Sequence, residues 1–115
     1  MALDTEDGYN YIVVIQDTHF EWSKTKDASN QKKHGIAFQE AATVFSDFFY
    51  LEIADLDHSE IEERFIALGL SDRLRLLVVC HSILADDKTV RIISAREATR
   101  NEERQYGEKT NERRI

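Results

Sequence analysis

Arg96, Arg100 and Arg104 recur at helical spacing just after the apolar, β-branched run Val90-Arg91-Ile92-Ile93-Ser94. The best-placed positive charge in the chain therefore sits where a buried strand hands over to a helix. Ser94 offers an N-cap oxygen and Glu97 stands three residues on, the spacing of a capping box, which predicts an abrupt helix start. At such a start the unfilled N–H groups and the positive end of the helix dipole face the same way. The guanidinium forks of Arg96 and Arg100 beside them suit a phosphate. A competing reading is a solvated helix whose arginines pair with Glu97, Glu102, Glu103 and Glu108, each pair worth ~0.2–0.5 kcal/mol.

A second group of reactive types comes from two strands. Glu62, Arg64, Ile66 and Leu68 share one face of the first, and Arg75, Leu77, Val79 and His81 share one face of the next. If the hairpin between them pairs even-numbered with odd-numbered residues, Glu62 and Arg64 come alongside His81. The opposite parity sends His81 to the far side. The first register is the expectation, because it puts a carboxylate, a guanidinium and an imidazole on one face near Arg96 and Arg100 to serve as base, anion stabiliser and acid. Each has a plainer explanation. Arg64 beside Glu62 and Glu63 could be a surface pair, and His81 a partly buried histidine satisfied by backbone. His19, His34 and His58 have no obvious partner. The histidines and Cys80 lack metal-ligand spacing, and there is no Gly-rich phosphate loop, so neither a metal nor a cofactor is predicted.

The elements that must position these groups belong to one domain spanning residues 1–115. Residues 1–16 form an acidic extension and 107–115 a charged tail. A net charge of -7 counts against indiscriminate nucleic-acid binding. Its distribution matters more: Lys24, Lys26, Lys32 and Lys33 gather on one predicted helix, and further cations gather towards the C-terminal end. No apolar run is long enough for a bilayer, and the acidic opening is unlike a signal peptide. A cytoplasmic protein without membrane contact is expected. Lone Cys80, in an apolar run, reads as a small core residue.

In order, Tyr11 to Ile15 and Phe20-Glu21-Trp22 fit one long strand or a hairpin. Ser23 caps a helix over Lys24 to His34 that Gly35 ends, and a second helix covers Ala37 to Phe45. Strands follow over Phe48 to Ala54, Glu62 to Leu70, Leu74 to Ile83 and Val90 to Ser94, the last three as a meander, and then the C-terminal helix. The fold class is α+β, a mostly antiparallel sheet with two N-terminal helices on one side and a C-terminal helix.

Several blocks, in order, carry a resemblance. They are Phe20-Glu21-Trp22, Lys33-His34-Gly35-Ile36-Ala37-Phe38-Gln39-Glu40-Ala41, Asp57-His58-Ser59 with Glu62-Glu63-Arg64-Phe65, and Ile92-Ile93-Ser94-Ala95-Arg96 with Ala98-Thr99-Arg100 and Glu103-Arg104. Together they resemble the BrnT family of ribonuclease toxins from about Phe20 to Tyr106. The resemblance implies a RelE-like fold, metal-independent endoribonuclease activity that inhibits translation and growth, and neutralisation by a BrnA-like antitoxin. Operator DNA would be met only through the antitoxin complex. Carried over by residue, it implies functional roles for Arg64, Arg96 and Arg100 with Glu62 or Glu63 as acidic companions, and for His81. Ser23 stands where the family commonly has Asp, and the acidic extension before Phe20 is a further departure. The alternative is a non-catalytic module in which the arginines grip a protein or DNA, a reading the acidic balance favours.

Overall fold

Local chemistry sets the first helix. Ser23 Oγ accepts from Lys26 N at 3.2 Å, and Gly35 closes the helix at φ 72°, its N–H donating to Gln31 O. The computed structural model describes residues 11–15, 17–54, 63–84 and 88–114. Of the expected extension over residues 1–16, residues 1–10 and 16 lie outside them, as do the Asp55 to Ser59 turn, Glu62 and the Asp86-Asp87 connection, while 11–15 form a strand. Among the described residues the elements are β1 (Tyr11–Ile15), β2 (Thr18–Trp22), α1 (Lys24–His34), α2 (Phe38–Ala42) running into a 3-10 turn (Thr43–Ser46), β3 (Leu51–Ala54), β4 (Arg64–Leu70), β5 (Leu76–Ile83), β6 (Thr89–Glu97) and α3 (Arg100–Arg114).

One six-stranded sheet runs in the order β1-β2-β6-β5-β4-β3. Every pair is antiparallel except β2 with β6. The fold is therefore α+β as expected, and the N-terminal segment is a hairpin. That hairpin docks parallel to β6, a long-range pairing that no local pattern announces.

Alternation gives the sheet two unlike faces. Phe20, Trp22, Ala67, Leu77, Val79, Ile92 and Ala95 point to the closed face, where they pack with Ile36, Phe38, Ala41 and Val44 into the core. Gly69 lies in this layer because a Cβ there would meet Val44 Cγ1 and Tyr50 Cβ at 2.8 Å. A carboxylate completes the closed side: Glu40 accepts from Ser71 Oγ at 2.7 Å and from Arg75 Nε at 3.0 Å, tying α2 to the β4–β5 connection. No described helix is long and apolar enough to cross a membrane.

The edge of β6 is finished by α1. Strand β2 pairs with β6 only as far as Arg91, after which the chain turns at Ser23 into α1. The buried amide of Asn30 then takes the place of a strand, accepting from Ala95 N at 3.1 Å and donating to Ala95 O at 2.9 Å and Ile36 O at 2.8 Å. These bonds satisfy backbone groups that would otherwise be stranded. They also hold α1 where its side chains can reach over the strand edge.

Candidate active site

The β4–β5 hairpin takes the register opposite to the expected one. Arg64 lies across from Ser82 and Phe65 across from His81, so even residues meet even ones. The reason is the turn: Ser71 N donates to Arg75 O, Leu74 adopts φ 62°, and Leu70 pairs with Leu76. The expected grouping of His81 with Arg64 is thus corrected. His81 is fully buried on the closed face, its ring 4.8 Å from Phe45 and 5.9 Å from Phe65. Burial pushes its pKa down, which favours the neutral ring. With the proton on Nδ1 it donates to Val79 O at 3.2 Å, and Nε2 lies 3.4 Å from Glu52 Oε1.

The boundary of the last helix also moves. Pairing with β5 carries β6 on to Glu97, and Ala98 N still donates to Leu76 O at 2.9 Å. Ser94 is therefore a strand residue, not a cap. The capping box is Thr99 with Glu102: Glu102 N donates to Thr99 Oγ1 at 3.2 Å and Thr99 N to Glu102 Oε1 at 2.8 Å. Arg96 consequently projects from a strand, and Arg100 begins α3 as an exposed residue. Beyond Tyr106 the charged tail continues as helix to Arg114.

These shifts put Arg64 and Arg96 on one face. Ile66 aligns with Cys80 and Ser94, and Leu68 with Val78 and Arg96. Ile93 is the extra residue at the irregularity opposite Cys80 and His81. Around these positions opens a cavity of about 480 Å³, with Arg64 and Arg96 in its walls and Ile66 and Val78 as an apolar floor. Cys80 and Ser94 also line it. Cys80 is half-buried in this cavity and is not part of the core, because its even position faces away from the layer of Phe38, Ala41 and Val44.

His34, which the sequence left without a partner, reaches the same cavity from the last turn of α1. Its Lys-His-Gly setting shows a helix ending there. The strand edge that carries it to Arg64 depends on where β2 stops. Arg100 is not among the residues lining the cavity. Glu63 is exposed just before β4.

The Arg96 fork is bidentate on Glu102, with Nη1 to Oε1 at 2.9 Å and Nη2 to Oε2 at 3.0 Å. That guanidinium, with further help from the Thr99 N–H, holds the Glu102 carboxyl at about 2. Glu102 thereby fixes the plane and direction of Arg96 at the cavity wall. Elsewhere on this face Arg91 is committed to Glu21, with Nη2 and Nε both 2.8 Å from Oε2.

In chemical terms the cavity offers two guanidinium groups from different strands, one imidazole at its rim, a hydroxyl and a thiol. Such a set suits a phosphodiester better than a carbonyl, because planar forks match phosphate oxygens. Residues 22–102 match the model of a protein family described as "Ribonuclease toxin, BrnT, of type II toxin-antitoxin system". No curated protein matches the chain.

Proposed function

The chain belongs to the BrnT family of ribonuclease toxins of type II toxin–antitoxin systems, and from that premise we propose that the Arg64–Arg96 cavity is where RNA is cut without a metal. The observation that carries this reading is the convergence of Arg64 and Arg96, from β4 and β6, on one cavity. The scissile phosphate sits between the two forks. The ribose 2′-hydroxyl attacks phosphorus in line, a bond to the 2′-oxygen forms, and the bond to the 5′-oxygen breaks. The products are a 2′,3′-cyclic phosphate and a 5′-hydroxyl end. Charge growing on the phosphate oxygens is offset by the Arg64 guanidinium and by the Arg96 N–H groups that Glu102 leaves open. His34 takes the proton from the 2′-hydroxyl, the step expected of Glu62 or His81, and water supplies the proton to the leaving 5′-oxygen. Arg100, exposed on the first turn of α3, adds attraction for the polyanion.

Incubating the purified chain with RNA in EDTA should yield fragments ending in cyclic phosphate. RNA carrying a 2′-deoxy sugar at the cut site should survive. Intact RNA in the first case, or cutting in the second, would contradict the mechanism. Growth inhibition in cells should follow from the same cleavage. An antitoxin laid over the open face would neutralise it by covering the arginines and the substrate path together. Operator DNA, in this reading, is met only through that complex.

The bidentate hold of Glu102 on Arg96 favours a second reading, a module that binds without cleaving. In that case Arg96→Ala would cost stability and leave RNA untouched by either form.

A further inference from the structure

A stripe along α1 has the wrong chemistry for a helix that only packs. Lys26, Ser29, Asn30, Lys33 and His34 recur at i, i+3, i+4, i+7 and i+8, the positions a surface helix ordinarily fills with apolar residues to meet its sheet. Here Asn30 is the buried member, and its amide does the docking. The stripe borders a groove of about 180 Å³ that shares His34, Ile93 and Ser94 with the Arg64–Arg96 cavity. Lys26 and Lys33 stand exposed in its wall, and among the described residues neither has an ion-pair partner.

Helix electrostatics explains only part of this. Lys32, Lys33 and His34 in the last turn complement the dipole, but Lys26 lies in the first turn, where a cation is disfavoured. In a chain of net charge -7, cations gathered on the helix whose His34 lines the cavity are placed to meet a polyanion that enters it.

We propose that this groove is a second subsite, holding the backbone of a single RNA strand next to the scissile phosphate, with Lys26 and Lys33 on flanking phosphates. This rests on the nuclease reading and extends it. The cavity holds the phosphate that reacts, and the groove sets which way the strand leaves it. Lysines serve here as point charges that tolerate any base sequence, whereas the arginine forks fix geometry.

The test compares an RNA dinucleotide with a single strand of about a dozen nucleotides. Lys26→Gln with Lys33→Gln should leave dinucleotide cleavage unchanged. On the longer strand KM should rise about tenfold, and the slope of log KM against log salt should fall by about 1.4, since each single-strand contact contributes ~0.7. Lys26→Arg with Lys33→Arg should restore both. An unaltered KM and salt slope on the longer strand would overturn the subsite while sparing the nuclease reading, and would point to an acidic protein segment as the occupant. Wild-type protein that cuts neither RNA would contradict the nuclease reading alone. Fluorescence anisotropy with a 2′-O-methyl strand then decides the subsite by the same tenfold criterion.

Discussion

Two arginine–glutamate pairs, alike in chemistry, have opposite surroundings. Arg75 and Glu40 lie beside the core, with the carboxylate 5% exposed and held by Ser71 as well. Arg96 and Glu102 lie on the open face, 41% and 26% exposed, at the wall of the cavity. A buried carboxylate held by an arginine is a clamp, because removing the arginine strands the carboxylate's charge. At the cavity wall Glu102 takes only the end-on fork of Arg96, so among the described residues Nε–H and the second Nη2–H stay open to an incoming phosphate. The sheet as a whole divides the same way, with stability concentrated on the face where Phe20 and His81 pack with Phe38 of α2, and the proposed chemistry on the face carrying Arg64 and Arg96.

The largest expected effect belongs to the open face. Arg64→Ala and Arg96→Ala should each lower RNA cleavage by about 10²–10³, the range for losing one aimed donor, with melting temperature nearly unchanged. Equal losses of cleavage and of folded protein would erase the contrast between the faces. On the closed face, Arg75→Ala should cost about 3 kcal/mol in urea unfolding, because the buried Glu40 carboxylate loses its partner. Cleavage per folded molecule should be unaffected. Gly69→Ala should cost about 1–3 kcal/mol through its clash with Val44 and Tyr50.

Acid should separate the faces by pH. His81 has a lowered pKa in the folded chain, so below about 6.5 the unfolded chain binds a proton that the native one refuses. Its contribution is thus present above that pH and lost as pH falls. Glu102, at about 2 in the folded chain, contributes above the ordinary carboxylate range, and that contribution is lost as pH falls from about 4.3 towards 2. His81→Phe should remove the first decline in stability and Glu102→Gln the second, as followed by urea midpoints across pH. The smallest effect is that of Glu102→Gln at neutral pH. Slack in Arg96 should reduce cleavage by less than either arginine variant, about tenfold, with stability lowered by about 1–2 kcal/mol, the lowered carboxyl discounted for its exposure.

What could be read from the chain follows how local each signal is. Helix α1 was legible to the residue, because Ser23 and Gly35 act on their own neighbours. The α+β class and the antiparallel meander were legible from β-branched runs and short connections. His81 was misplaced because the parity of the β4–β5 hairpin is set by Leu74 in the left-handed region, which no glycine marks. The start of α3 was misplaced because Ser94 with Glu97 and Thr99 with Glu102 are both capping-box spacings. Pairing of Leu77 with Glu97 in β5 and β6 decided for the second. His34 was missed because its place depends on β2 ending at Trp22 and on Asn30 taking over the edge of β6. These are long-range facts with no signature in spacing. The convergence of Arg64 with Arg96 was expected, though by way of a helix that in fact begins at Arg100.

The chain's single thiol gives the most direct test, because Cys80 lines the cavity between the two arginines. The measurement is the rate of Cys80 alkylation by iodoacetamide with and without a saturating, uncleavable 2′-O-methyl RNA. Bound RNA should slow labelling at least about tenfold, and Arg64→Ala should abolish the protection at the same RNA concentration. An alkylation rate indifferent to bound RNA would place the nucleic acid elsewhere on the molecule and contradict the open face as its site.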